Sequence, residues 1–381
     1  MKSAQAITEL ETAFANKARP ATREDKPARL WVGCFGNAVP DVLLAAAGCR
    51  FVDVKAIPDA ELNDVHQGMA RFIEPFLDDY TRVFLHRLAC GRLDHLRAIV
   101  FSRQDAAALV AYQYALEYQR QHQADTAFPT LLLWNAEQGT TEAVMTFNQR
   151  QASQLLTRLA ALGAAHPSTE DIATAIEQVR TRHQALDELT LVQRDGTPRL
   201  TALEVLRWRN AGRYLDPAQF SSQLRTALSD VSSRPARMGK RLGLVGTATD
   251  SEDLYRMLDS VGCVVADLQP FGQAWPGPMS ESDDLDGLLN AMAIDPFCPR
   301  GRSSIAMVDA LADTCALAQC DAVIAQMDQN DDTFGWDLPS LEQALNKQGI
   351  PLLQLGFRDL RPDGDWITRS RERLTTVLGD L

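Results

Sequence analysis

The chain has 381 residues and a mass of 42.0 kDa, more than one ordinary hydrophobic core supports, so we expect more than one domain. Hydrophobic residues make up 45% and charged residues 23% of the chain, which excludes a mainly disordered or fibrous protein. Its 38 basic and 50 acidic side chains give a net charge of −12 with no local basic cluster, which argues against nucleic acid as a partner.

Cellular location and cysteine usage also restrict the function. No stretch has the length and uniform apolar character of a membrane span, so we expect no membrane partner. Residues 1–27 are charged and alanine-rich, without the basic-then-apolar plan of an export signal, and we predict a cytoplasmic protein. The seven cysteines include no CxxC pair, which argues against a disulfide framework and a zinc site.

The first region alternates strand-length apolar runs with helical stretches. The runs cover residues 30–33, 51–55, 98–101 and 130–134, and residues 106–120 carry apolar side chains at helical spacing. Such alternation predicts a parallel sheet. We therefore place an N-terminal α/β lobe at residues 1–140.

Beyond residue 140 the pattern becomes helical and then alternates again. Residues 141–235 predict successive amphipathic helices, one of them starting at Ser168 with acids in its first turn. A C-terminal α/β lobe at 236–381 follows, with strands predicted at 241–246, 263–267, 321–326 and 351–355, and helices at 251–261, 304–317 and 338–347. The predicted fold is α/β, with two Rossmann- or flavodoxin-like parallel-sheet lobes flanking a helical segment.

Ligands of open parallel sheets bind beyond the carboxyl ends of the strands, so the loops after the strands are the candidate binding loops. The loops of interest follow residues 31–33, 98–101, 241–246 and 321–326, and two lobes would place a cleft between them. Residues 269–299, rich in Pro, Gly, Ser and Asp, predict a connection that is mobile or faces a ligand.

Three local patterns leave a functional and a structural interpretation open. Gly246-Thr-Ala-Thr-Asp250 resembles half of a phosphate-binding turn, but it lacks the later glycines and an ordinary strand-to-helix turn is favoured. Cys298 lies between two prolines near Arg302, either in a functional loop or in a rigid turn that caps a helix. The acids of 328–332 could bind a hard cation, although helix capping is the more frequent role.

The order of these pieces resembles a subunit of the 2-hydroxyacyl-CoA dehydratase and benzoyl-CoA reductase family, its D-component, over nearly the whole chain. The resemblance rests on six stretches. These are the opening turn with Val39-Pro40 and Ala45-Ala-Ala-Gly48, residues 97–105, residues 241–246, Cys298-Pro with Arg302, residues 320–324, and residues 349–353.

The resemblance implies a lyase-type heterodimer of two related subunits and a separate ATP-hydrolysing activator. In that family the activator supplies one electron through a [4Fe-4S] cluster to a thioester carbonyl, and the resulting ketyl radical expels the 2-hydroxyl group. Such a cluster needs soft thiolate ligands, and the family usually supplies three from each subunit.

In this chain the matching places carry no sulfur. They read Glu74-Pro75, Gln104-Asp105 and an acidic or amide residue around Asp328 to Asp331, all of them hard oxygen or amide donors. We therefore expect no metal and no cofactor on this chain, a [4Fe-4S] cluster in a related partner subunit, and ATP on the activator. On the substrate side the resemblance points to Gly36, Asn37, Cys298 and Arg302 for acyl-CoA binding. Asn37 replaces a small hydroxyl residue and Val42 a common glutamate.

Three hypotheses follow from this departure. The first is a cluster-free subunit that helps to bind an acyl-CoA beside a cluster-bearing relative. The second is a redox-free acyl-thioester enzyme that uses Glu74, Asp105 and Asp331 as oxygen ligands or acid–base groups. The third is a non-catalytic scaffold protein, in which all the cluster ligands could be lost without consequence.

Overall fold

Two parallel sheets and a helical layer make up the computed structural model, which describes residues 2–17, 30–103, 106–122, 128–273, 282–294, 304–331 and 334–380. Each sheet has four strands. The predicted fold class, two parallel-sheet lobes flanking a helical segment, is therefore confirmed. The division at residues 140 and 235 stays a prediction.

The first lobe is built around a short buried sheet. Its strand order is β2-β1-β3-β4, and Val32 of β1 pairs with Ala98 of β3. All five residues of β3 are buried, as expected for a central parallel strand covered on both faces. The elements in chain order are α1 (Lys2–Asn16), β1 (Trp31–Phe35), α2 (Asp41–Ala46), β2 (Arg50–Asp53), α3 (Gln67–Ala70), α4 (Asp79–Ala89), β3 (Ala98–Ser102), α5 (Ala106–Gln121) and β4 (Thr130–Trp134).

The helical layer contains α6 (Glu142–Ala161), α7 (Thr169–Arg194), α8 (Ala202–Ala211) and α9 (Pro217–Leu228). Helix α7 begins after Ser168, whose side chain and Asp171 form a capping box, so the predicted helix start is confirmed. Helix α1 packs on α8 and α9 and buries Leu10 and Phe14, which are one helical turn apart.

The second lobe repeats the plan of the first, with strand order β6-β5-β7-β8. The predicted connection 269–299 contains a helix with buried leucines. Leu288 packs with Ile176 of α7, so this part of the connection belongs to the packed interior. The elements are β5 (Lys240–Gly246), α10 (Glu252–Val261), β6 (Gly262–Asp267), α11 (Leu285–Ala293), α12 (Ser304–Leu317), β7 (Ala322–Asp328), α13 (Phe334–Lys347), β8 (Leu352–Arg358) and α14 (Gly364–Asp380).

The largest apolar cluster spans both lobes. It joins Phe35 and Phe84 of the first lobe to Leu244 and Leu258 of the second, and Leu206 of α8 belongs to it as well. Burial of this apolar surface stabilises the contact between the lobes. The lobes therefore share one continuous interior, and the polar groups at their boundary are held on a packed base.

Candidate functional site

The carboxyl ends of the strands in the two sheets face each other, and side chains hydrogen-bond across the boundary. Asn37, after β1, donates through Nδ2 to the carbonyl oxygen of Pro270, after β6, at 2.8 Å. Tyr80, on α4, donates to Oδ1 of Asp250, after β5, at 2.6 Å. We call this boundary the interlobe seam. It consists of Lys17, Asn37, Asp53, Tyr80, Arg213, Asp250, Pro270 and Arg361.

The sheet topology identifies where ligands would bind in each lobe. The strand order reverses between β1 and β3 in the first lobe, and between β5 and β7 in the second. Ligand sites of open α/β sheets lie at such switch points, so the four loops that the sequence indicates are the loops that the topology selects. Gly36, with a φ of 101°, and Asn37 form the turn after β1.

Arg213 is the centre of the first group of contacts in the interlobe seam. Its guanidinium donates to Asp53 Oδ2 at 2.9 Å, to Asn37 Oδ1 at 3.1 Å and to Asn210 Oδ1 at 2.7 Å. The guanidinium carbon also lies 5.0 Å from the ring centre of Phe271. Asn37 thus uses both ends of its amide within the protein, and its role in substrate binding stays a prediction.

Asp250 is the centre of the second group. Lys17 Nζ lies 2.7 Å from Oδ2, and both Tyr80 Oη and Arg361 Nη1 donate to Oδ1. The Asp250 side chain is fully buried. Burial alone would raise the pKa of Asp250, but Lys17 and Arg361 outweigh it and hold that pKa well below its usual range.

The backbone N–H groups of the turn after β5 form hydrogen bonds within the protein. Gly246 has a φ of +123°, and a Cβ there would lie 1.8 Å from the carbonyl oxygen of Gln326. The N–H groups of Thr247, Thr249 and Asp250 donate to Gln326, Gln269 and Tyr80. Because these donors already have acceptors, the favoured interpretation of this motif, an ordinary strand-to-helix turn, agrees with the contacts.

Asp328, the last residue of β7, is a buried carboxyl group at the switch point of the second lobe. It is 3% exposed, and its Oδ2 atom has no hydrogen-bond partner among the described residues. Burial raises the pKa of Asp328 to about 6, with Asp79 and Asp78 of the first lobe adding to the effect. This side chain can therefore hold or release a proton near neutral pH.

Of the predicted cluster positions, Glu74 and Asp331 are described, and the N–H of Asp331 donates to the carbonyl oxygen of Asp328 at 3.1 Å. Glu74 is exposed and accepts a hydrogen bond from Tyr114. Tyr114 lies eight residues along α5 from Ala106, and at 1.5 Å per residue this separates the two residues by about 12 Å along the helix axis. Asp331 accepts a hydrogen bond from the N–H of Phe334, at the start of α13. The other predicted site residues lie outside the described residues: Gln104, Asp105, Cys298 and Arg302.

Val42, at the position where a glutamate is common in the family that the chain resembles, is buried in an apolar cluster. It packs among Ile176 and Val179 of α7. A carboxylate at this place would be desolvated without a partner from these two side chains. Val42 therefore contributes packing to the contact between α2 and α7.

The described residues do not fit a [4Fe-4S] cluster, which needs thiolates gathered at one place. Five of the six described cysteines are buried, and Cys90 is exposed. Burial raises the pKa of Cys34 well above its usual value and that of Cys49 to about 11, which disfavours the thiolate form. Within the described ranges no three His, Cys, Asp or Glu side chains are grouped so that they could hold a metal ion.

Sequence reasoning missed the residues that dominate the interlobe seam. Arg213 and Lys17 carry no motif that marks them, and their partners Asp53 and Asp250 lie 160 and 233 residues away in the chain. The sequence signal was weak: Asp250 follows the predicted strand 241–246, whereas Asp53 lies inside the predicted strand 51–55 and is the last residue of β2 only in the structure.

Comparison with known proteins gives one family match. The profile of the family described as 2-hydroxyglutaryl-CoA dehydratase, D-component, matches residues 37–378. No curated protein matched the sequence. None of the described helices has the length and apolar character needed to cross a bilayer.

Proposed function

The chain belongs to the 2-hydroxyglutaryl-CoA dehydratase D-component family, which makes it a subunit of a 2-hydroxyacyl-CoA dehydratase-type complex, and we propose that this subunit works without a cluster of its own. The observation that carries the proposal is where the cysteine thiols of this chain lie. The described cysteines lie in separate apolar cores or, for Cys90, on the surface, while Glu74 and Asp331 offer oxygen at the places that resemble the ligand loops.

The proposed complex contains a related, cluster-bearing subunit and an ATP-hydrolysing activator. When bound in that partner, a [4Fe-4S] cluster supplies the low-potential electron. This chain contributes one wall of an acyl-CoA site, with Gly36, Asn37, Cys298 and Arg302 as its substrate-side residues. The support for this wall is the position of Gly36 and Asn37 at a switch point of the first sheet.

The charge arrangement of the interlobe seam supports a passive electronic role for this chain. Asp250 and Asp53 are neutralised by Lys17, Arg361 and Arg213, all held by hydrogen bonds. Because these charged side chains are held in place by one another, the interlobe seam can position a ligand without a change in its own charge. We propose that the chain shapes and seals the acyl-CoA site and that electron transfer takes place in the partner.

Anaerobic purification tests the proposal. The chain is expressed alone and together with a cluster-bearing relative, and iron, acid-labile sulfide and the ultraviolet–visible spectrum are measured. We expect no stoichiometric iron on the chain alone, and broad iron–sulfur absorption only in the co-purified complex. A full [4Fe-4S] complement on the chain alone overturns the proposal, and a Cys298→Ser variant then shows whether that thiol holds the cluster.

A second candidate function is favoured by Asp328. A carboxyl group with a pKa of about 6 at a switch point suits a general acid, so a redox-free acyl-thioester enzyme would use it together with Asp331. Turnover of an acyl-CoA by the chain alone, lost in Asp328→Asn and kept in Asp309→Asn on the surface of α12, would establish this function. The proposed cluster-free subunit shows no such turnover alone.

A further inference from the structure

Three buried arginines line a narrow cavity between α7 and the C-terminal end of α8. The cavity has a volume of about 10 Å³, room for about one water-sized sphere. Its polar lining consists of Arg182, Arg209, Asn210, Arg213 and Gln273, and no carboxylate contributes to it. Arg213 also belongs to the interlobe seam, but the proposed function assigns no ligand to this space.

Two of the three guanidinium groups have a buried carboxylate partner. Arg182 forms an ion pair with Asp41, and Arg213 forms one with Asp53 at 2.9 Å. The charges of Arg182 and Arg213 are therefore compensated by carboxylates within the protein. The electrostatic balance of the cavity therefore depends on Arg209.

Arg209 has only neutral acceptors. It is 6% exposed, and its Nη2 atom donates to Thr190 Oγ1 at 3.1 Å and to Gln193 Oε1 at 3.3 Å. Its Nε atom is buried without a hydrogen-bond partner, and none of the ion pairs among the described residues includes it. A buried cation with an unused donor favours a nearby negative charge.

The acids around Arg209 do not supply that charge at contact distance. Burial lowers the pKa of Arg209 to about 10, and Asp267 and Asp187 oppose the shift from a distance. Burial raises the pKa of Asp267 to about 6, so this carboxylate is mostly ionised at neutral pH, but it forms no ion pair with Arg209 among the described residues. Arg209 therefore stays protonated at neutral pH, and no carboxylate among the described residues forms an ion pair with it.

We infer that this cavity binds one small monovalent anion of the size of chloride between Arg209 and Arg213. The volume admits a single water-sized occupant, so phosphate, sulfate and larger organic acids do not fit. A water molecule would fill the space and accept hydrogen bonds, but it would bring no charge. The anion links α7, the end of α8 and the segment after β6 that carries Gln273.

Bromide substitution tests the site directly in the unmodified protein. Crystals of the full chain are grown without chloride and soaked in sodium bromide, and anomalous scattering is recorded at the bromine edge. We expect a peak in the cavity in contact with the Arg209 and Arg213 guanidinium groups. A water-like density without an anomalous peak overturns the inference.

Thermal unfolding provides the second test. Chloride replaces gluconate at constant ionic strength, and we expect the melting temperature to rise by about 2–4 °C once chloride greatly exceeds its Kd. The rise should disappear in Arg209→Met and persist in Arg225→Met, which removes an exposed arginine of α9 paired with Glu188. If Arg209→Met does not fold, the bromide peak decides alone. A chloride effect of equal size in both variants contradicts the proposed site.

Discussion

Asp250 is the side chain of the interlobe seam on which two cations and a tyrosine converge. Its two oxygens serve Lys17, Tyr80 and Arg361, which come from the N-terminal segment, the first lobe and the second lobe. Breaking a buried ion pair by removing one partner costs more than the pair contributes, because the remaining charges stay desolvated. The largest effect of a single substitution in the seam is therefore expected at this residue.

We predict that Asp250→Asn lowers the free energy of unfolding by about 3–5 kcal/mol, because Lys17 and Arg361 lose their shared counterion. Urea denaturation followed by fluorescence measures the change. Asp253→Asn, on the exposed side of α10, is the matched control and should change stability by less than about 0.5 kcal/mol. Equal effects of the two substitutions would contradict the assigned role of Asp250.

The sign of its pH dependence follows from the lowered pKa. Because the pKa of Asp250 in the folded protein lies below that of the unfolded chain, its contribution is present above the unfolded value and is lost as the pH falls. Acid unfolding of the wild type should therefore be steeper than that of Asp250→Asn.

Asp328 should behave in the opposite way. Its folded pKa, about 6, lies above the ordinary value, so its contribution is fully present below the unfolded pKa and is lost as the pH rises through about 6. We predict that Asp328→Asn is more stable than the wild type at pH 8 by about 3 kcal/mol and nearly equal to it at pH 4, because the pKa shift from 3.8 to about 6 costs about 1.4 kcal/mol per pKa unit. Urea midpoints at the two pH values measure this, with Asp309→Asn as a control that shows no such difference.

At the residue scale, the sequence located the loops but not the partners. Asp328 and Asn37 follow predicted strands, so their positions at the sheet edges could be inferred. The hydrogen bond of Asn37 to Arg213 and the effect of Asp79 on the pKa of Asp328 could not, because these partners are distant in the chain. The grouping of Glu74, Gln104 and Asp331 stays a prediction, since Gln104 lies outside the described residues.

At the scale of elements, the turn between β5 and α10 fixes how closely β5 approaches β7. Gly246 has a backbone conformation that favours glycine, and it faces the carbonyl oxygen of Gln326 at a distance that excludes any Cβ. We predict that Gly246→Ala destabilises the protein by at least about 4 kcal/mol or prevents folding, as judged by the denaturation midpoint and soluble yield.

Gly349, which follows α13, provides a comparison in which a substitution causes backbone strain without a close contact. Gly349 has a φ of +72° with no atom within 4 Å of a built Cβ. Gly349→Ala should therefore cost only about 1–2 kcal/mol, the strain of the left-handed conformation alone. Losses of similar size at both glycines would show that the contact with Gln326 does not matter.

The elements themselves were largely predictable, since all eight strands occur close to the predicted runs. Continuous apolar residues in β3 and β7 gave a strong signal because central parallel strands are buried on both faces. Helices α1 and α11 are among the helices that were not predicted from the sequence. The first carries mostly small and charged residues around Leu10 and Phe14, and the second follows a stretch rich in proline and glycine.

For the whole molecule, the contact between the lobes combines a shared apolar cluster with the charges of the interlobe seam. We predict that Arg213→Met loosens this contact, because Asp53 loses its cation and Asn37 loses a donor. Two spectroscopic probes should then give separate unfolding midpoints in guanidinium chloride, whereas the wild type and Arg225→Met show coincident ones. Coincident midpoints in Arg213→Met would mean that the apolar cluster alone couples the lobes.

At the scale of the complex, we propose that this subunit carries no iron–sulfur cluster. Native mass spectrometry of the anaerobically purified complex, with its subunits released in the gas phase, tests it most directly. We predict that this chain appears at the mass of its polypeptide alone and that its partner retains the mass of a [4Fe-4S] cluster. Release of this chain with four irons and four sulfides attached would contradict it.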